Sequence, residues 1–246
     1  MSTKVTKPEK SWWEKLQIIA LWKQSRSPKK QSTKRHLRNG SKFKGLIAEK
    51  PHITLFVGRK GSGKTQLLIK LLKDIDAFRG QYEEIIIVSP TFKLQPVWKQ
   101  LSPEGITVYE SFSDAVLETI YKEQQSNVNT LLILDDNGDD LRKVSPSIFN
   151  KLISNSRHLN LSIIALLQKI TQSPTILRSN TDCFIVFSAC SERERLALFA
   201  EIGTMSKKEF EIIFNDSTNE QYSCFVSSIQ DGKIRFYKNF KHEIKI

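Results

Sequence analysis

Residues 58–65 read Gly-Arg-Lys-Gly-Ser-Gly-Lys-Thr and match G-x-x-x-x-G-K-[ST]. Each residue type in this run suits the binding of a polyphosphate. Gly58, Gly61 and Gly63 let the backbone curl tightly and bring its N–H groups to phosphate oxygens, with Arg59, Lys60 and Ser62 completing the loop. Lys64 can reach the β- and γ-phosphates of a nucleoside triphosphate, and the Thr65 hydroxyl can hold Mg²⁺. A chance Gly/Lys turn would carry the same letters, so context decides. Residues 53–57, Ile-Thr-Leu-Phe-Val, form an apolar run suited to a buried strand. Leu67, Leu68, Leu71 and Leu72 then recur at helical spacing, with Lys70 and Lys73 off that face. The loop sits between a strand and a helix, and the helix N-terminus adds partial positive charge at the same point.

A second constellation begins at residue 131. Four apolar residues run into Asp135-Asp136, a Walker B pattern. A fully apolar strand is buried, so its terminal carboxylates emerge at the C-terminal edge of a sheet, where open α/β folds bind ligands. Asp135 is expected to hold Mg²⁺ through water, and Asp136 to polarise the attacking water as general base. Acidic residues commonly open loops; what gives these two weight is a P-loop about 70 residues upstream. Gln168 ends the next apolar strand and is placed to orient that water or sense the γ-phosphate. Arg157 and Arg178 are candidate transition-state cations, although either could pair with Asp139, Asp140 or Asp182 on the surface. His158 has no accompanying ligand set and reads as structural.

The remaining pattern supplies the scaffold. Strands are expected over 84–89, 106–109, 130–134, 161–167 and 183–187, several apolar throughout, as in a parallel sheet covered on both faces. Helices are expected over 113–125, capped by Ser113, and over 146–155, 192–201 and 206–214. Residues 92–102 read as a polar-aromatic connection containing Trp98. The runs 222–229 and 233–240 flank Gln230-Asp231-Gly232, a hairpin signal. The fold class is therefore α/β, a P-loop NTPase with a mostly parallel central sheet, helices on both faces and a C-terminal β-hairpin.

The 246 residues suffice for one large α/β domain, taken as 46–246, plus an arm over 1–45. Net charge is +12, and the arm carries 13 Lys/Arg against 2 Asp/Glu. Its basic stretch over 25–44 suits phosphate, another acidic surface or a targeting receptor. Trp12, Trp13 and Trp22 mark a short apolar segment whose apolar positions spread around the helical wheel. It calls for a partner surface: the domain, a neighbouring subunit or a membrane interface. No apolar run approaches the ~20 residues of a spanning helix. Cys183, Cys190 and Cys224 lack metal-type spacing and cannot all pair, which with no visible signal peptide favours a reducing compartment.

The ordered set 58–65, 131–136, Ser156-Arg157-His158, Gln168 and Leu177-Arg178-Ser179-Asn180 resembles the viral genome-packaging ATPases of the FtsK–HerA superfamily, of poxvirus, giant-virus and virophage type. The resemblance covers roughly residues 50–240. It implies an additional-strand, RecA/FtsK-like sheet in which the strand ending at Gln168 lies between the P-loop strand and the Walker B strand. It also implies ATP and Mg²⁺ as cofactors and a homo-oligomeric ring, pentameric or hexameric, in which an arginine reaches a neighbour's ATP. Further implied are a channel for double-stranded DNA, a capsid or portal-vertex partner, and residence in the virion or a cytoplasmic viral factory. Many relatives carry Glu where Asp136 stands, and the shorter side chain needs the water closer or a bridging water. Two rivals differ in chemistry. A P-loop kinase would need an arginine-bearing lid over an acceptor site, which residues 90–105 do not supply. An ATP-dependent switch, such as a helicase loader, would bind DNA without directional movement.

Overall fold

The structure is a computed structural model and describes residues 43, 45–46, 51–102, 105–124, 128–188 and 191–245. All of them fall in His36–Ile246, the second of two units into which the chain divides. The Trp-bearing segment, most of the basic stretch and Cys190 lie outside the described residues.

Among the described residues nine strands build one sheet: β1 Ile53–Val57, β2 Glu84–Val88, β3 Ile106–Tyr109, β4 Thr130–Asp135, β5 Leu161–Leu167, β6 Cys183–Phe187, β7 Cys224–Gln230, β8 Lys233–Lys238 and β9 His242–Ile244. Their order is β3-β2-β4-β5-β1-β6-β7-β8-β9. The six strands from β3 to β6 pair in parallel and the last three pair antiparallel. β5 thus lies between the P-loop strand β1 and the Asp135 strand β4, the additional-strand arrangement that the resemblance implied.

The apolar strands are explained by two cores on opposite faces. Successive side chains alternate across the sheet, so Leu55, Val57, Leu132, Leu134, Ile163 and Ala165 enter one core. Phe56, Leu131, Ile133, Ile164 and Leu166 enter the other. The first core is closed by helices Asp114–Glu123 (α2), Pro146–Asn155 (α3), Glu192–Ile202 (α5) and Lys207–Ser217 (α6). The second is closed by Lys64–Lys73 (α1), through Leu68, Ile69, Leu71 and Leu72, and by Trp98. Side-chain caps set the starts of α2 and α6. Ser113 Oγ accepts from Val116 N–H, and Ser206 and Glu209 form a reciprocal capping box.

Some boundaries differ from expectation for identifiable reasons. The hairpin strands stop short of 222 and 240 because Tyr222, Asn239 and Phe240 have φ of 63°, 52° and 66°, which cannot continue a strand. Asp231 and Gly232, also left-handed, make the tight turn between β7 and β8. The 92–102 connection folds into two 3₁₀ turns, Phe92–Leu94 and Pro96–Gln100, pinned by buried Trp98 stacked on Phe92. A short helix Thr175–Ser179 (α4) and strand β9 were not expected. Phe43 and Gly45, assigned to the arm, pack on the domain edge: Gly45 N–H donates to Phe240 O at 3.2 Å, and the Phe43 and Phe240 rings meet edge-on. A side chain at Gly45 would run into the Tyr237 ring at 2.8 Å.

Candidate active site

Topology brings the chemistry-bearing residues to one edge. The P-loop leaves the C-terminal end of β1, Asp135 ends β4, and Gln168 follows the last residue of β5 between them. Register keeps them level: Asp135 lies opposite Leu166, Val57 lies opposite Leu167, and Gly58 N–H donates to Leu167 O at 3.1 Å. Gly58, Arg59, Lys60, Gly61, Ser62, Gly63, Lys64 and Thr65 form the loop and the first residues of α1. Gly58 has no room for a side chain, since a Cβ would meet Ser62 Oγ at 2.7 Å and Phe187 Cβ at 2.9 Å. Gly61 and Gly63 have φ of 80° and 97°, the left-handed backbone that turns N–H groups inward.

The loop borders a cavity of about 1140 Å³ that also takes in Thr65, Asp135, Asp136, Gln168, Gln95 and Tyr222. Lys64 Nζ donates to Gly58 O at 2.6 Å and Arg59 O at 3.1 Å, so its ammonium folds back onto the loop's own carbonyls. Burial lowers the Lys64 pKa below the usual lysine range, while Asp135 and Asp136 oppose that shift. Asp135 is almost fully buried, and burial together with the neighbouring Asp136 pushes its carboxyl up to about 6. Gln95, Lys64 and Ser89 pull the other way. Asp136 is exposed, in the left-handed region at φ 59°, and accepts a hydrogen bond from Gln168 Nε2 at 3.2 Å.

Sequence reasoning missed the groups that hold Asp135. Gln95 Nε2 donates to Asp135 Oδ2 at 3.2 Å and to Thr91 Oγ1 at 2.7 Å, and Ser89 Oγ approaches the same carboxylate oxygen at 3.4 Å. Buried Asn137 donates to Val88 O at 2.7 Å and to Asp135 O at 3.0 Å, fastening the ends of β2 and β4 together. A sequence gives little sign of these roles, because polar residues after strands are ordinary.

The donor set suits a hard divalent cation. Thr65 and Asp135 offer a hydroxyl and a carboxylate around the cavity. Among the described residues no group of three or more His, Cys, Asp or Glu converges. Mg²⁺ typically takes one or two carboxylates and completes its shell with phosphate and water.

Neither candidate arginine stands at this edge of the sheet. Arg157 lies in the turn before β5, where its Nη2 is 3.3 Å from Asp182 Oδ1 and its side chain is 75% exposed. Asp182 accepts from Ile53 N–H at the start of β1. That is the N-terminal edge, one strand length or roughly 17 Å from the P-loop, so Arg157 is remote from the phosphate site of its own subunit. Arg178 is tied down by Glu201 at 2.8 Å, Ser173 O and Thr175 Oγ1, with its side chain 21% exposed. Exposed His158 belongs to the same turn as Arg157.

A sequence model of the poxvirus A32 protein family matches residues 41–233. The chain belongs to that family of viral genome-packaging ATPases. The family agrees with the FtsK–HerA resemblance carried by the order of motifs. Among curated proteins, uncharacterized protein 075L of Invertebrate iridescent virus 6 is 24% identical over 186 residues, covering 72% of this chain and 70% of that protein. Among solved structures, the genome packaging NTPase B204 of Sulfolobus turreted icosahedral virus 2, in complex with AMP, superposes with a TM-score of 0.58 at 22% identity. That match covers 77% of this chain and 98% of the other. B204 of Sulfolobus turreted icosahedral virus, described as a DNA-packaging ATPase, gives a TM-score of 0.58 at 18% identity over the same shares. These likenesses place the A32-family domain in the same fold.

Proposed function

We propose that the chain is a Mg²⁺-dependent ATPase that couples hydrolysis to the movement of viral double-stranded DNA into a preformed capsid. One observation carries the reading: P-loop, Asp135, Asp136 and Gln168 converge on one sheet edge around a cavity large enough for a nucleoside triphosphate. The loop N–H groups and α1 hold the phosphates, and Lys64 exchanges its two carbonyl partners for β- and γ-phosphate oxygens. Thr65 and Asp135 hold the Mg²⁺, which when bound neutralises charge developing on the phosphates. Asp136 Oδ accepts the proton of the attacking water, and Gln168, already bonded to Asp136, orients it.

The subunits form a homo-oligomeric ring, and a neighbour supplies the cation. Arg157 fits that task better than Arg178. Its side chain is 75% exposed, and Asp182 keeps the Ile53 N–H as a donor when Arg157 leaves, so little opposes its transfer to a neighbour's phosphate. Arg178 is bound on several sides by its own subunit. Basic side chains of the arm hold the DNA backbone without reading bases, as a translocase requires, and a capsid or portal-vertex protein anchors the ring in the virion or viral factory. The Trp-bearing segment supplies a contact with that partner or with a membrane.

The test is ATPase activity of the purified chain with and without long duplex DNA, together with displacement of a roadblock protein from one end. Stimulation with directional displacement is expected; stimulation without displacement would indicate a switch. Asp136→Asn should retain ATP and hydrolyse it slowly, and a variant that cannot bind ATP would remove Asp136 from the role of base.

A further inference from the structure

Asp135, Asp136 and Gln168 all lie on one side of the P-loop. Asp135 and Gln168 end β4 and β5, which follow β1 in one direction across the sheet, whereas β6 and β7 follow it in the other. A triphosphate whose γ end faces Asp135 and Gln168 therefore directs its nucleoside toward the β6–β7 side. Tyr222 stands there.

Tyr222 is unusual in three respects. It is a large aromatic side chain with 61% of its surface exposed. It lines the same cavity as the P-loop, and its ring lies against the loop: a Cβ on Gly63 would meet Tyr222 Cδ1 at 3.2 Å. Its φ of 63° is costly for a bulky residue, and side chains held in that region concentrate at ligand sites. The backbone around it is firmly pinned. Ser223 N–H and Oγ donate to Glu220 O at 3.1 and 2.7 Å, and Cys224 N–H donates to Asn239 Oδ1 at 2.8 Å. Cys224 pairs with Phe187 at the end of β6. A rigid turn thus presents a solvent-facing ring at the mouth of the phosphate site.

We propose that Tyr222 is the platform on which the base of the bound nucleotide stacks. The inference rests on the P-loop reading above and adds the base subsite to it. Stacking engages the π-face that every base shares, so this contact favours nucleoside triphosphates over bare polyphosphate while discriminating weakly among bases. Burying an exposed ring under a base also uses apolar surface that contributes nothing to the core.

The experiment compares ATP, GTP and inorganic tripolyphosphate as ligands of wild type, Tyr222→Ala, Tyr222→Phe and Tyr222→Trp by equilibrium binding. Loss of the ring should weaken ATP and GTP alike, on the order of ten-fold to a hundred-fold, the range found when aromatic platforms under bases are truncated. Tripolyphosphate affinity should stay unchanged, and Phe and Trp should restore nucleotide affinity. Equal weakening of tripolyphosphate and ATP would assign Tyr222 to supporting the loop and overturn the proposal, as would nucleotide binding unaffected by Tyr222→Ala. If wild type binds neither ATP nor tripolyphosphate, the P-loop reading itself fails, a result distinct from the other two.

Discussion

At Asp135, function and stability pull in opposite directions. The carboxyl is buried beside Asp136 and titrates near 6 in the metal-free fold, above the ordinary carboxylate range. A carboxyl whose folded pKa is raised binds its proton more tightly in the native state than in the unfolded chain. The metal-free protein therefore loses stability as pH rises from about 4 to about 6 and stays at the lower level above that. Asp135→Asn removes the penalty. It should raise the stability of the metal-free protein at neutral pH by about 3 kcal/mol and flatten the dependence between pH 4 and 6, as followed by thermal unfolding in a chelator. The same variant should lose Mg²⁺-dependent hydrolysis, since a neutral amide is a poorer ligand. A variant no more stable than wild type at pH 7 would show that Asp135 carries no buried charge there.

The most informative element is the pair of 3₁₀ turns after β2. Their sequence, Phe-Lys-Leu-Gln-Pro-Val-Trp, looks like a connection, yet Trp98 anchors it in the second core and Gln95 reaches Asp135. The element brings both Leu94, 79% exposed, and Gln95 to the cavity that Asp135 lines. Gln95→Ala leaves the P-loop and both carboxylates in place but frees Asp135 from one of its two side-chain donors. The Mg²⁺ concentration for half-maximal ATPase should rise several-fold, because a looser ligand loses the benefit of preorganisation. Metal-free nucleotide binding should be unchanged. A Mg²⁺ titration that overlays wild type would leave Gln95 with a packing role only.

At the scale of the whole molecule two expectations concern assembly and DNA. Arg157→Ala subunits keep their P-loop, and Lys64→Ala subunits keep Arg157. If Arg157 acts across an interface, co-assembled mixtures contain some interfaces with both parts intact and should recover ATPase activity that each variant lacks; an arginine finger is worth on the order of 10³–10⁵ in turnover. Mixtures shown to co-assemble without recovery would return Arg157 to its ion pair with Asp182. The second expectation concerns the arm. A deletion ending at residue 35 removes 10 Lys/Arg and 2 Asp/Glu and spares Phe43 and Gly45, which pack on the domain. DNA affinity and the slope of log K against log salt should both fall, with about 0.9 of slope lost per duplex phosphate no longer neutralised. An unchanged slope would assign the arm to capsid, membrane or targeting contacts.

The sequence by itself determined the elements and the letters of the site. Gly58 to Thr65 and Asp135-Asp136 are local patterns, and the apolar runs of β1, β4, β5 and β6 report burial on both faces directly, because a strand in a covered parallel sheet has no polar side to show. The Asp231-Gly232 turn and the Ser113 and Ser206 caps are equally local, since each requires a particular backbone or hydrogen bond within a few residues. What only the tertiary structure decided is which distant residues share an edge. Gln95 meets Asp135 across 40 positions, and Tyr222 meets Gly63 across more than 150. Arg157 precedes β5, which runs into Gln168, yet it lies at the opposite edge, because an extended strand carries its two ends a full strand length apart. Sequence proximity and spatial proximity coincide for a loop and part company along a strand, and that geometry separates what could be read from what had to be folded.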